Sequence, residues 1–187
     1  MHDLAPLTAL GAPAPRRIRH GALTLSEDPG LALASLALRR GQREPSPFGL
    51  TLPGPGAWRA GTGVAAFWTG PGQWMIEAPG RAEEDFTAAL AAEAPGASVT
   101  EQTDGWAAFE IASSQGAAPL LRLAEKLVNL PPDALAPGRA TRTGLHHMSV
   151  FVLRRSEDRL SVLGMRSAAG SLWHALTQAA HRLETPE

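Results

Sequence analysis

Histidine is the first residue type to consider in this sequence, because imidazole serves both as a general base and as the commonest metal ligand. His146 and His147 are adjacent in a predicted strand, where neighbouring side chains point to opposite faces. His174 and His181 lie seven residues apart on one predicted helix, a spacing that matches no metal-binding template. We therefore interpret the histidines as structural or surface residues, and we expect no metal site.

Nucleophiles give no positive signal in the sequence. Cysteine and tyrosine are absent, and Lys126 is the only lysine, outside any glycine loop that could bind phosphate. Ser113, Ser114 and Ser167 stand at predicted helix starts, where capping of backbone amides explains them. A Ser-His-Asp triad stays open because triads assemble in space, but the sequence predicts no catalytic residue.

One acidic residue stands beside an aromatic residue in a tight turn, in the segment Thr103-Asp104-Gly105-Trp106. A functional interpretation makes Asp104 a general base or a ligand anchor next to Trp106. The alternative is an Asp-Gly turn residue whose side chain bonds its own backbone. We favour the turn interpretation, because turn chemistry already accounts for the pattern.

Charge is nearly balanced, at 17 Lys and Arg against 18 Asp and Glu, so no bulk field attracts nucleic acid or anionic lipid. Several arginines could lie close together in the fold and form an anion site. A solvated face, or ion pairs with a partner, is the favoured interpretation. The arginines concerned are Arg139, Arg142, Arg154, Arg155 and Arg166.

The chain shows no targeting or membrane-spanning signal. No stretch reaches the roughly 18 consecutive apolar residues of a membrane span. The first residues lack the basic and apolar regions of a signal peptide. We therefore expect a cytoplasmic protein that binds neither membrane nor nucleic acid.

The elements that would position these residues follow one repeated pattern, a hairpin and then a helix. From residue 73 onward the order is β-α-β-β-α-β, followed by one more strand and helix, which is the ferredoxin-like order. We therefore expect an α+β fold with a ferredoxin-like core, an extra strand and a C-terminal helix. The predicted strands are 31–38, 64–68, 73–78, 98–102, 106–111, 146–153 and 159–163, and the predicted helices are 82–94, 115–128 and 168–181.

We expect a single domain over residues 31–187, preceded by an extended N-terminal arm over residues 1–30. The first seventeen residues are rich in proline, which prevents helix and disfavours central strands. The arm is either a frayed terminus or a segment that docks on a partner. A second stretch rich in proline and glycine covers residues 39–63 and contains Trp58, whose exposure would favour an interface.

Five segments, taken in order, resemble the gamma subunit of heterotetrameric sarcosine oxidase. Residues 67–77, F-W-T-G-P-G-Q-W-M-I-E, are similar to the Gly-Pro-x-x-Trp-Leu hairpin of that family. The resemblance covers about residues 31–182, and its order and spacing make it specific. The other segments are 103–121, which looks like the second hairpin and helix, 129–131 and 138–143, which look like the segment that follows, and 165–173, which looks like the last strand-to-helix junction.

The resemblance implies a non-catalytic subunit whose fold is akin to part of the folate-binding aminomethyltransferase domain. In that family, alpha, beta, gamma and delta subunits together demethylate sarcosine to glycine, reduce oxygen to hydrogen peroxide and can pass the one-carbon unit to tetrahydrofolate. The resemblance places FAD, FMN, NAD and zinc in the partner alpha, beta and delta subunits, and no cofactor in this chain.

A stand-alone tetrahydrofolate-binding transfer or carrier protein of the same fold is the alternative hypothesis. Its folate-binding candidates are Asp104 and Trp106. The subunit hypothesis predicts association with a large flavoprotein, whereas the carrier hypothesis predicts saturable folate binding that depends on Asp104.

Overall fold

The computed structural model describes residues 6–184, and within them it contains eleven strands and three α-helices. In chain order these elements are β1 (Arg17–His20), β2 (Leu23–Glu27), β3 (Ala32–Leu38), β4 (Trp58–Ala60), β5 (Ala65–Gly70), β6 (Gln73–Ala78), α1 (Phe86–Glu93), β7 (Ala97–Glu101), β8 (Trp106–Ser113), α2 (Ala117–Leu127), β9 (Arg139–Leu145), β10 (Met148–Ser156), β11 (Arg159–Met165) and α3 (Ala169–Arg182).

The strands divide between two antiparallel sheets. The first sheet has the strand order β1-β2-β8-β11-β10-β9, and the second sheet has the order β4-β5-β6-β3-β7. Hairpins such as β5–β6 and β10–β11 join strands that are consecutive in the chain. Other pairs, such as β2 with β8 and β3 with β7, bring together segments that are far apart in sequence.

Alternation of side chains along the strands packs the two sheets face to face. Leu33 and Phe67 of the second sheet meet Phe151, Leu153 and Leu163 of the first sheet in one buried cluster. The rings of Phe67 and Phe151 lie 4.9 Å apart between their centroids. This apolar layer between the sheets is the central core of the domain.

The helices cover the two outer faces. Leu120 and Leu123 of α2 and Leu172 of α3 are fully buried against the first sheet. Phe86 and Leu90 of α1 are fully buried against the second sheet. The order of layers is therefore α2 with α3, the first sheet, the second sheet, and α1. Within residues 6–184, no helix is long and apolar enough to cross a membrane.

The prediction of an α+β fold is confirmed, but that of a ferredoxin-like core is not. β6 and β7 belong to the second sheet, whereas β8 and β9 belong to the first, so the predicted β-α-β-β-α-β run does not form one sheet. The physical reason is the choice of strand partners, because β7 pairs with β3 and β8 pairs with β2 and β11. Local patterns indicate where a strand lies but not which distant strand it joins.

The N-terminal segment is more ordered than the predicted arm over residues 1–30. Residues 17–27 form β1 and β2, and Leu23 and Leu25 are buried in the core under α2 and α3. Among the described residues, the arm is therefore limited to 6–16. Residues 1–5 of the predicted arm lie outside the described residues.

The stretch rich in proline and glycine, residues 39–63, lies against the second sheet. Leu50 and Leu52 are buried in the cluster that α1 covers. The Trp74 indole donates a hydrogen bond to the Pro53 carbonyl oxygen at 2.8 Å. The short strand β4 lies within this stretch and pairs with β5. Buried leucines and one buried indole therefore hold a segment that has little regular structure.

Gly164 on β11 allows α3 to approach the first sheet closely. A methyl group at this position would lie 2.7 Å from Cδ2 of Leu172, which is fully buried on α3. We expect Gly164→Ala to lower the free energy of unfolding by about 1–3 kcal/mol through overpacking. Urea denaturation followed by circular dichroism measures this change.

Gly170→Ala is the matched control, because Gly170 lies on α3 and a methyl group there would meet no atom within 4 Å. Alanine is the better helix former, so this variant should be unchanged or more stable by up to about 1 kcal/mol. Equal destabilisation by both substitutions would contradict the role assigned to Gly164.

Candidate functional site

Charged side chains lie between the two sheets, on faces that are otherwise apolar. On β10, Arg155 follows Phe151 and Leu153 at alternate positions and shares their face. It is also the extra residue of a β-bulge in β10, a feature that can redirect a side chain. Glu77 of β6 meets Arg155 from the second sheet.

Glu77 is fully buried, and both of its carboxylate oxygens have partners. Arg155 donates to Oε1 at 2.9 Å and to Oε2 at 3.0 Å, which makes a bidentate pair. The Trp58 indole N–H also donates to Oε2, at 2.7 Å. A buried carboxylate is tolerated when it is paired and hydrogen-bonded. Arg155 and Trp58 therefore make the position of Glu77 possible.

Two residues of the first sheet complete the group. A guanidinium nitrogen of Arg155 lies 3.3 Å from Oε1 of Glu110, and Ser161 accepts a hydrogen bond from Nε of Arg155. The guanidinium carbon lies 5.2 Å from the centroid of the Trp58 ring, within the range of a cation–π contact. We call Trp58, Glu77, Glu110, Arg155 and Ser161 the inter-sheet cluster.

Opposing effects set the charges in the inter-sheet cluster. Burial alone would lower the pKa of Arg155, but the charges and hydrogen bonds of Glu77 and Glu110 outweigh it and raise that pKa above its ordinary value. Burial raises the pKa of the Glu110 carboxyl, and the charge of Arg155 opposes this effect. Arg155 is therefore a permanent cation that links carboxylates of both sheets.

One cavity adjoins the inter-sheet cluster and a second lies beside it, and Asp28 and Leu31 line both of them. The cleft cavity measures about 370 Å³, and its walls include Glu77, Glu110 and Arg155. The arm cavity measures about 350 Å³, and residues of the arm between positions 6 and 15 form part of its wall.

Asp28 is the carboxyl group at the junction of the two cavities. Burial raises its pKa, while the hydrogen bond from the Gly30 amide and the charge of Arg155 oppose the shift and the charge of Glu77 adds to it. The Gly30 amide donates to Oδ1 at 3.1 Å. Asp28 therefore holds a proton to higher pH than a free aspartate does.

The two candidates predicted from the sequence both line the arm cavity. Trp106 begins β8, where its ring lies 5.4 Å from that of Phe151 and its indole N–H donates to Gln102 at 3.3 Å. Asp104 lies in the turn just before β8. Its side chain is 96% exposed and lies 3.9 Å from Arg166. The structure thus brings both residues to one cavity with Asp104 at its rim, and their role in folate binding stays a prediction.

The arm closes one side of the arm cavity through two tethers. The backbone amides of Leu10 and Arg16 donate to the carboxylate of Glu27, at 3.0 and 3.4 Å. Arg166 donates to the carbonyl oxygen of Leu7 at 3.1 Å. The arm is therefore docked on its own domain, although the Leu7 side chain is 55% exposed.

Asp28, Glu77 and Glu110 were not predicted from the sequence, and a solvated or partner-facing role was favoured for Arg155. One signal was present, because Glu77 is the only charged residue in the apolar strand 73–78 and a buried charge needs a partner. The sequence does not show which residue that partner is, because Arg155 lies 78 residues away from Glu77.

The structure also corrects the position of His146 and His147. They form the two-residue turn between β9 and β10 rather than part of a strand, and their φ angles are 43° and 67°. Positive φ at both positions is the geometry of a type I′ turn. β9 itself lies in a segment where no strand was predicted.

Solved structures of other proteins resemble this fold, among them the following two. Heterotetrameric sarcosine oxidase from Corynebacterium sp. U-96 contains a chain that is 21% identical, with a TM-score of 0.71 over 91% of this chain and 89% of that chain. Glycine cleavage system aminomethyltransferase T from Bartonella henselae is 17% identical, with a TM-score of 0.55 over 80% of this chain and 44% of that chain. No protein-family model and no curated protein matches the sequence. The predicted resemblance to heterotetrameric sarcosine oxidase is confirmed in the fold.

Glu77→Gln tests the inter-sheet pair, because it keeps the shape of the side chain and removes its charge. Arg155 would lose its bidentate partner in a largely buried position, so we expect the free energy of unfolding to fall by about 3 kcal/mol. Glu84→Gln is the control, because it breaks an exposed pair with Arg81 and should change stability by less than about 1 kcal/mol. Similar losses in urea denaturation of the two variants would contradict the importance of the buried pair.

Asp28→Asn tests the raised pKa of Asp28. A carboxyl whose pKa is higher in the folded protein lowers stability as pH rises from its unfolded pKa through its folded pKa. The variant should therefore be more stable than the wild type at pH 7, and this advantage should vanish by about pH 3, where the carboxyl is protonated in both the folded and the unfolded chain. Urea denaturation at both pH values measures the difference, and Asp133→Asn, at an exposed position, is the control. An advantage for Asp28→Asn that does not depend on pH would contradict the shift.

Proposed function

We propose that this chain is the gamma-type, non-catalytic subunit of a heterotetrameric sarcosine oxidase assembly. The observation that carries the proposal is the fold match with a chain of that enzyme, which covers 91% of this chain and 89% of the other. Alpha, beta and delta partner subunits would hold FAD, FMN, NAD and zinc and oxidise sarcosine to glycine. The proposal includes the cytoplasmic location expected from the sequence.

Exposed apolar side chains support a role in assembly. Leu7 and Met165 are 55% and 49% exposed, although both are large and apolar. Leu7 is tied through its carbonyl oxygen to Arg166, the residue that follows Met165. Apolar residues at a protein surface are favourable to bury when a partner binds. This region, where the arm meets the end of β11, is the surface that we expect a partner subunit to cover.

The inter-sheet cluster supports a structural role in a different way. The carboxylate of Glu77 accepts hydrogen bonds from Arg155 and Trp58. The carboxylate of Glu110 pairs with Arg155 and accepts a hydrogen bond from Ser161. These groups bond one another across the two sheets. Such a network makes the domain rigid, which suits a subunit that must present a fixed surface to its neighbours.

A tetrahydrofolate-binding transfer or carrier protein is the second candidate function. The fold match with an aminomethyltransferase favours it, as does the arm cavity that Asp104 and Trp106 both line. A cavity of about 350 Å³ is within the size range of small-molecule sites. The fit to folate is partial, because the Asp104 carboxylate is 96% exposed and faces Arg166.

Co-expression with alpha, beta and delta subunits of a sarcosine oxidase encoded in the same genome tests the subunit proposal. We expect the chain to purify with them in equal stoichiometry. The four-subunit complex should oxidise sarcosine with production of hydrogen peroxide, whereas the isolated chain should bind no flavin and turn over no sarcosine. A chain that stays alone in size-exclusion chromatography after co-expression would contradict the proposal.

Calorimetry of the isolated chain with tetrahydrofolate separates the second candidate from the first. Saturable binding that Asp104→Ala weakens at least about tenfold would support the carrier function, since loss of a charge-assisted hydrogen bond has about this effect. Asp133→Ala removes an exposed carboxylate outside the arm cavity and is the control. The subunit proposal expects no saturable binding by the isolated chain.

A further inference from the structure

The turn of the first hairpin meets the C-terminal end of α3. His20 is the last residue of β1, His181 lies in the last turn of α3, and Glu184 follows two residues after that helix ends. His20 and Glu184 are 164 residues apart in the chain. The juxtaposition therefore depends entirely on the packing of α3 against the first sheet.

Three side chains with metal-ligating atoms converge at this junction. Nδ1 of His20 lies 2.9 Å from Oε2 of Glu184, and Nδ1 of His181 lies 3.5 Å from the same oxygen. The two imidazole rings are 5.5 Å apart between their centroids. Within residues 6–184, this is the only group of three histidine or acidic residues whose donor atoms all lie within 4.8 Å of one another.

These separations match the size of a tetrahedral zinc site. Zinc bonds of about 2.0–2.2 Å at tetrahedral angles place neighbouring donor atoms roughly 3.4 Å apart. The two measured contacts fall on either side of that value, so small side-chain rotations would place all three donors around one ion.

We propose that His20, His181 and Glu184 form a binding site for one divalent transition-metal ion, with Zn²⁺ the best match. Two imidazoles and one carboxylate make an N₂O donor set that leaves a fourth position for water. The side chains of His181 and Glu184 are 68% and 37% exposed, so an ion can enter from solvent. This site would be separate from the zinc expected in the partner subunits, and it does not depend on the proposed function.

A bound ion would fasten α3 to β1, the edge strand of the first sheet. No metal site was expected from the sequence, because the spacing of the histidines matched no metal-binding template. Glu184, three residues after His181, is a carboxylate that was overlooked there. His20 was not identifiable as the third ligand, because only the folded chain brings it near the other two.

Isothermal titration calorimetry with zinc chloride tests the proposal on the full chain without an affinity tag. We expect one saturable site per chain. His181→Ala and Glu184→Gln alter exposed positions, so they should preserve the fold and weaken zinc binding at least about tenfold. His174→Ala removes another exposed histidine of α3 that is outside the cluster, and it should leave the affinity unchanged.

Cobalt(II) and thermal denaturation provide two further measurements. Cobalt in a tetrahedral site gives strong visible absorption bands, which should appear with the wild type and disappear with His20→Ala. Zinc should also raise the melting temperature of the wild type, and a chelator should reverse that rise. No saturable zinc binding, or equal affinity in the wild type, His181→Ala and Glu184→Gln, would overturn the proposal. Equal weakening by His174→Ala would overturn it as well.

Discussion

The fold depends on a charged pair, Glu77 with Arg155, placed in the apolar layer between two sheets. A carboxylate in that layer is stable only when it has a cation and hydrogen-bond donors next to it. Both residues reach the layer because side chains alternate along β6 and β10. A shift of either strand by one residue would turn its charge toward a helix-covered face with no partner. The pair therefore makes wrong strand registers costly, in addition to joining the two sheets.

A second buried carboxylate acts in the same way at the other face of the first sheet. Glu27 at the end of β2 is 5% exposed, and it accepts hydrogen bonds from the backbone amides of Leu10 and Arg16. These hydrogen-bond donors belong to residues 6–16, which form no helix or strand. Glu77 thus determines how the sheets meet, and Glu27 determines where the arm lies. In both cases a buried carboxylate is stable only beside the segment that supplies its hydrogen-bond donors.

Sequence patterns predicted the elements whose formation depends on residues close together in the chain. The strands on either side of Gly70-Pro71-Gly72 and the helices α2 and α3 were predicted close to their observed positions, because turn residues and helical periodicity act over a few residues. β1 and β2 were missed because they follow a proline-rich segment. The division into two sheets was missed because it depends on pairs such as β3 with β7 and β2 with β8. No local pattern specifies which distant strand completes a sheet.

The same limit explains why the N-terminal segment was taken for a simple arm. Its residues contribute to both cavities and to the proposed metal site, since Asp28 lines both cavities, Leu7 borders the arm cavity and His20 meets Glu184. Each of these contacts joins the first thirty residues to a part of the chain far away in sequence. A segment with few regular elements has many polar and backbone groups left to bond elsewhere. The N-terminal segment therefore joins distant parts of the chain at the two cavities and at the proposed metal site, although the sequence pattern alone suggested a simple arm.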